Sequence, residues 1–142
     1  MGAEENRATI SRLYEEVFKD WNVSLIDELF SPSFVDHLLN RPAGNGPKGP
    51  ASVHQLYETL RSAFPDLTFK VDDIVADGDK VAVRWRWTCT HLGRFRGIPP
   101  TGRKCQVDGM AIYRLVDGLI EERWVSTNLD KLAQELGSSR DQ

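Results

Sequence analysis

Apolar residues at Ile10, Leu13, Tyr14, Val17, Phe18 and Trp21 recur every three or four positions, which puts them on one face of a helix. Ser24 then precedes Leu25-Ile26-Asp27-Glu28-Leu29-Phe30, with Asp27 where a capping box places its acid, so a short second helix is expected, ended by Pro32. Asn40 to Pro50 contain three glycines and three prolines without periodicity and read as a loop. Val53, Leu56, Tyr57, Leu60 and Phe64 mark a third helical face, stopped by Pro65-Asp66.

Beyond that point the period changes from helical to alternating. Thr68 to Val75, Val81 to His91, Cys105 to Val116 and Leu119 to Val125 are rich in β-formers and separated by the turn signals Asp77-Gly78-Asp79 and Asp117-Gly118. In the second run Val81, Val83, Trp85, Trp87 and Cys89 alternate with Ala82, Arg84, Arg86, Thr88 and Thr90, which demands one apolar and one polar face and gives His91 the apolar parity. A last helix from Leu129 to Leu136 is expected to end at Gly137, with a frayed tail over 138–142. Helices followed by antiparallel strands predict one α+β domain over 1–142, with a core of about 6–137. Its form is a cone-shaped α+β barrel, a curved antiparallel sheet with helices packed on its concave face, and the mouth of such a cone suits an apolar small-molecule ligand.

Composition narrows the partners. Lys and Arg number 18 against 21 Asp and Glu, a net charge of −3, so a nucleic-acid binder is not expected. No apolar stretch approaches a bilayer span and no signal-peptide core begins the chain, so a cytoplasmic protein without membrane contact is expected. Cys89 and Cys105 read as two small buried hydrophobes. His37, His54 and His91 lack metal-ligand spacing, and no glycine-rich turn opens a helix to cradle phosphate, so neither metal nor cofactor is expected.

The string His91-Leu-Gly-Arg-Phe-Arg-Gly-Ile-Pro-Pro-Thr-Gly-Arg103, with Ile112 to Trp124 and the closing Leu132-Ala-Gln-Glu-Leu-Gly137, resembles the SnoaL-like polyketide cyclase (ester cyclase) family of the nuclear transport factor 2-like superfamily. The resemblance implies a cystatin-like cone, a homodimer and a cofactor-independent acid/base cyclase, isomerase or lyase acting on a carbonyl-bearing, polyketide-like substrate. In the family's anthracycline cyclases an aspartate of the last strand moves the proton, while a glutamine, a histidine and an asparagine hold the substrate. Those positions carry Val125, Gly109, Ala111 and Asp36 here, so a catalytic acid or base would have to stand elsewhere in the cone. The alternative is a ligand-binding module of the same fold that has lost the cyclase acid/base.

The candidates for that chemistry are Asp36 and His37, after the second helix, and His91 at the end of the tryptophan-bearing strand, all able to exchange a proton near neutral pH in an apolar setting. Tyr14, Trp85, Trp87, Tyr113 and Trp124 are expected to wall the pocket, with Gly109, Ala111 and Val125 leaving a flat slot between them. Asn128 is expected to cap the last helix or touch the ligand. Arg84, Arg86, Asp108 and Arg114 share the outer parity with Met110 and Ile112, and apolar residues on that face favour pairing of two chains.

Overall fold

The computed structural model describes residues 2–38 and 48–140, so most of the loop expected over 40–50 lies outside the described residues. Helix α1 (Ala3–Arg12) continues as a π-helical stretch over Leu13–Lys19, whose wider winding keeps Leu13, Tyr14, Val17 and Phe18 all buried. Trp21, with a φ of 58°, ends it. The second helix is shorter than its apolar run: a 3₁₀ turn over Val23–Leu25 leads into α2 (Ile26–Leu29), with no side-chain cap.

Phe30 already belongs to a strand, β1 (Phe30–Leu38), which the sequence pattern did not reveal. Its register slips between Phe30 and Val35, around Pro32, and it lies at the sheet edge, where a proline removes no needed ladder bond. Helix α3 (Pro50–Ala63) starts on a proline, pre-set for the first helical turn, and buries Val53, Tyr57, Leu60 and Ala63. Strands β2 (Thr68–Asp77), β3 (Lys80–Thr90), β4 (Lys104–Val116) and β5 (Leu119–Thr127) follow, then α4 (Leu129–Arg140), which runs through Gly137 instead of ending there.

The sheet order is β1-β5-β4-β3-β2. The last four strands pair antiparallel, whereas β1 runs parallel to β5, so the sheet is mixed rather than wholly antiparallel. On β3 the alternation is obeyed: Val81, Val83, Trp85, Trp87 and Cys89 are buried under the helices while Arg84 is exposed. On β5 one extra residue breaks the period, because Arg114 pairs with Glu122 but Leu115 with Ile120. That bulge at Glu121 turns Arg123 toward the interior together with Val125. Among the described residues no helix is long and apolar enough to cross a membrane.

Candidate functional site

The stretch His91 to Arg103 is a rigid rim. The backbone N–H groups of Leu92 and Gly93 both donate to the Ala63 carbonyl at the end of α3. A Cβ at Gly93 would lie 2.0 Å from the Ser62 carbonyl oxygen, so only glycine permits this approach. His91 is fully buried: its N–H donates to Arg103 O, and its Nδ1 sits 3.0 Å from Thr101 Oγ1 and accepts the Thr101 N–H at 3.2 Å. Burial holds the imidazole below its ordinary range, so it stays neutral. The ring stands against Phe64 and away from the cavity, so the expectation that His91 faces the ligand is not met; it closes the base of the loop.

Between the helices and the concave sheet face lies a cavity of about 140 Å³. Phe18, Leu60, Phe69, Trp87, Val107 and Val125 give it an apolar wall. Phe18 stacks between Tyr57 and Phe69 at 5.0 Å on either side. Its polar groups are few. Arg123 is 8% exposed and donates to both carboxylate oxygens of Asp36, Nε to Oδ1 at 2.9 Å and Nη2 to Oδ2 at 2.5 Å. Burial opposes the guanidinium charge, but Asp36 and the neighbouring Tyr113 more than offset this and hold its pKa up. The Tyr14 and Tyr113 hydroxyls share a hydrogen bond of 2.8 Å. Burial pushes the Tyr14 phenol well above its usual range and raises those of Tyr113 and Tyr57, so all three remain protonated at neutral pH.

Tyr57 and Trp85 line the cavity, and their donors, the Tyr57 hydroxyl and Trp85 Nε1, are buried without a hydrogen-bond partner among the described residues. Leaving such groups unsatisfied costs about 1–3 kcal/mol each, which a ligand acceptor would recover.

The sequence-predicted residues divide. Tyr14, Trp85, Trp87 and Val125 line the cavity; Tyr113 is buried behind Tyr14. Gly109 faces Trp85 across the ladder, and a Cβ there would come within 2.3 Å of the indole, so the tryptophan itself fills the expected slot. Ala111 is buried beside Val83 and Val125 without reaching the cavity. Asp36 and His37 are neighbours on β1 and point to opposite faces, as strand geometry requires. Asp36 goes inward behind Arg123, whereas His37 lies on the outer face, bonded to Glu122 at 2.9 Å and stacked on Trp124 at 5.3 Å. Both His37 and Trp124 are therefore outside the cone, and Asp36, His37 and His91 are not brought together. Asn128 accepts the Asp108 N–H through its side chain at 3.0 Å and clips β4 to the start of α4, whose first turn is capped instead by Thr127 Oγ1 on the Leu129 N–H. Arg123 and Tyr57 are the functional candidates that periodicity missed. Parity with Val125 was the available signal for Arg123; for Tyr57 the helical face alone did not separate a core ring from a ligand donor.

At the open side, Arg96 and Asp130 both line the cavity and pair at 2.5 Å. Among the described residues no three His, Cys, Asp or Glu side chains cluster as a metal site.

The sequence profile of the SnoaL-like polyketide cyclase family matches residues 8–136. Among solved structures, AclR of Streptomyces galilaeus, named as a candidate hydroxylase, is 31% identical with a TM-score of 0.81, over 96% of this chain and 83% of that one. IdmH of Streptomyces antibioticus, named as a candidate polyketide cyclase, is 32% identical with a TM-score of 0.76, over 93% and 98%. A SnoaL-like protein of Jannaschia is 26% identical with a TM-score of 0.82, over 93% and 91%. Among curated protein sequences none matches the chain.

Proposed function

Since the chain belongs to the SnoaL-like polyketide cyclase family, we propose that it is a cofactor-independent enzyme that cyclises, isomerises or eliminates within an apolar, carbonyl-bearing substrate, acting through hydrogen-bond donation to the carbonyl oxygen. The observation that carries this reading is the pair of buried donors without a partner among the described residues, Tyr57 Oη and Trp85 Nε1, in residues that line a mostly apolar cavity. Donors fixed in an apolar cavity stabilise the negative charge that builds on a carbonyl oxygen as its neighbouring C–H acidifies or as a carbon nucleophile attacks it. Tyr14, backed by Tyr113 and by the Arg123 charge, supplies a third donor; Asp36 holds that arginine in place. The apolar walls fold the substrate so that its two reacting carbons meet, and the proton lost by the α-carbon ends on the alkoxide oxygen formed at the attacked carbonyl.

Acetophenone and α-methylstyrene test this, because they share a shape and differ in C=O against C=CH₂. Titrated against tryptophan fluorescence, the ketone is expected to bind at least about five-fold more tightly, since each of two neutral hydrogen bonds contributes about 0.5–1.5 kcal/mol. Equal affinities would remove the carbonyl reading.

A second reading, a ligand carrier without catalysis, is favoured by Val125, which stands on the cavity wall where the family's cyclases carry an aspartate. It shares the binding result and differs in the response of turnover to Tyr57, taken up in the Discussion.

The proposal includes a homodimer. On the outer sheet face Val75, Met110 and Ile112 are 64%, 60% and 44% exposed, flanked by the ion pairs Arg84–Asp73, Arg86–Asp72 and Arg114–Glu122. An apolar stripe bordered by both charge signs is self-complementary about a two-fold axis. Light scattering on a Met110→Glu/Ile112→Glu variant is expected to give a monomer where the parent gives a dimer; a monomeric parent would discard the pairing. A cytoplasmic location belongs to the same reading and is supported by the two free thiols, Cys89 and Cys105.

A further inference from the structure

Phe95 to Ile98 form a minimal hairpin at the cavity rim. Phe95 and Ile98 exchange both backbone hydrogen bonds, at 3.0 and 2.8 Å, and the two residues between them, Arg96 and Gly97, have φ values of 48° and 79°. Two consecutive positive φ angles define a type I′ turn, which pays a steric cost to carry arginine where asparagine or glycine is preferred. The hairpin is pinned from below by Phe95, 2% exposed and packed on Phe64 at 5.1 Å, and by Ile98. Arg96 is therefore held at the tip of a rigid turn, its guanidinium 5.2 Å from the Phe95 ring centre, and it reaches across to Asp130 in the first turn of α4.

We infer that the Arg96–Asp130 pair is a specificity determinant that closes the cavity to any ligand wider than one ring. Its side chains, 31% and 40% exposed, are the solvent-exposed charged part of the cavity lining, whereas Arg123 is buried. The cavity volume, about 140 Å³, is close to the ~150 Å³ of an engineered apolar cavity that holds one benzene. A single ring matches this volume, whereas a fused polycycle needs Arg96 and Asp130 to part. The substrate class this selects is monocyclic ketones and the linear diketones that close to them. The size preference rests on the function proposed above; the closure itself does not.

The opening is read without ligand by acrylamide quenching of Trp85 and Trp87 in a Trp21→Phe/Trp124→Phe background. Arg96→Asn, which suits the turn, and Asp130→Asn are each expected to raise the quenching constant by about five-fold, the ratio that corresponds to an exposed ion pair at the top of its usual range. Salt at 1 M, which shortens screening to about 3 Å, should raise the parent toward the same value. The charge-swapped Arg96→Asp/Asp130→Arg chain should return to it. Unchanged quenching in both single variants overturns the closure, and a rise that the swap does not reverse assigns the effect to packing and also overturns it. In stopped flow, the acetophenone on-rate should stay constant across the variants while that of anthrone, a tricyclic ketone, rises about five-fold with the open fraction. Equal changes for the two ketones overturn the size selection. If neither ketone binds while quenching responds as stated, the proposed function fails and the closure stands.

Discussion

Asp36→Ala is expected to destabilise the protein by about 3–5 kcal/mol, because it strands a buried guanidinium without its counter-charge. Arg123 is almost wholly enclosed, and both of its bonds to Asp36 are made beneath the cavity. For a chain of this size the loss corresponds to a fall in Tm of roughly 10 °C or more. The companion variant Asp36→Leu/Arg123→Met removes both charges at similar volume and is expected to recover most of the loss, since neither partner is then left buried and alone. Urea and thermal unfolding of the three chains decide the matter. A single variant within 1 kcal/mol of the parent would show that Arg123 finds water, and the field assigned to it beneath Tyr113 would have to be abandoned. The pair thus links fold to function: β5 can turn an arginine inward only because β1 delivers a carboxylate directly beside it.

Tyr57→Phe is expected to do the opposite, sparing stability while lowering kcat by about 10²-fold, the usual result of deleting one donor to a developing oxyanion. The hydroxyl has no partner in the free protein, so its loss breaks no native hydrogen bond and the ring keeps its stack on Phe18. A suitable reaction is closure of 2,6-heptanedione, in which the terminal α-carbon bonds to the distant carbonyl carbon and one water is expelled to give 3-methylcyclohex-2-enone. The enone absorbance reports turnover directly. KM should change less than kcat, because the hydrogen bond strengthens as charge grows on the oxygen. Unchanged kcat together with intact preference for acetophenone would favour the carrier reading over the enzyme. Loss of ketone preference without loss of turnover would separate the donor from the chemistry.

The sequence-based reading reached the helices and the four antiparallel strands because their hydrophobic periods are local. Val81 to Cys89 keep strict alternation over nine residues, and the structure buries all five apolar positions. β1 was illegible for a physical reason: its Ser-Pro-Ser start has no period, and its partner β5 lies more than eighty residues away in a parallel pairing that no turn announces. The inward direction of Arg123 was hidden by a single bulge residue, which shifts every later side chain on β5 by one face. The same effect sent Trp124 outward onto His37, against expectation.

Local pattern alone therefore determined the types of the elements other than β1, the apolar face of the tryptophan strand and the stiffness of the His91 to Arg103 rim, since these depend on φ preferences and on side-chain periods of 2 and 3.6. Which polar groups meet was decided only by the folded chain. Asp36 met Arg123, Tyr14 met Tyr113, Arg96 met Asp130, and the Tyr57 hydroxyl and Trp85 Nε1 were left without a partner among the described residues. Such meetings depend on strand order, register and one inserted residue, quantities set by packing the whole interior at once rather than by any stretch of sequence.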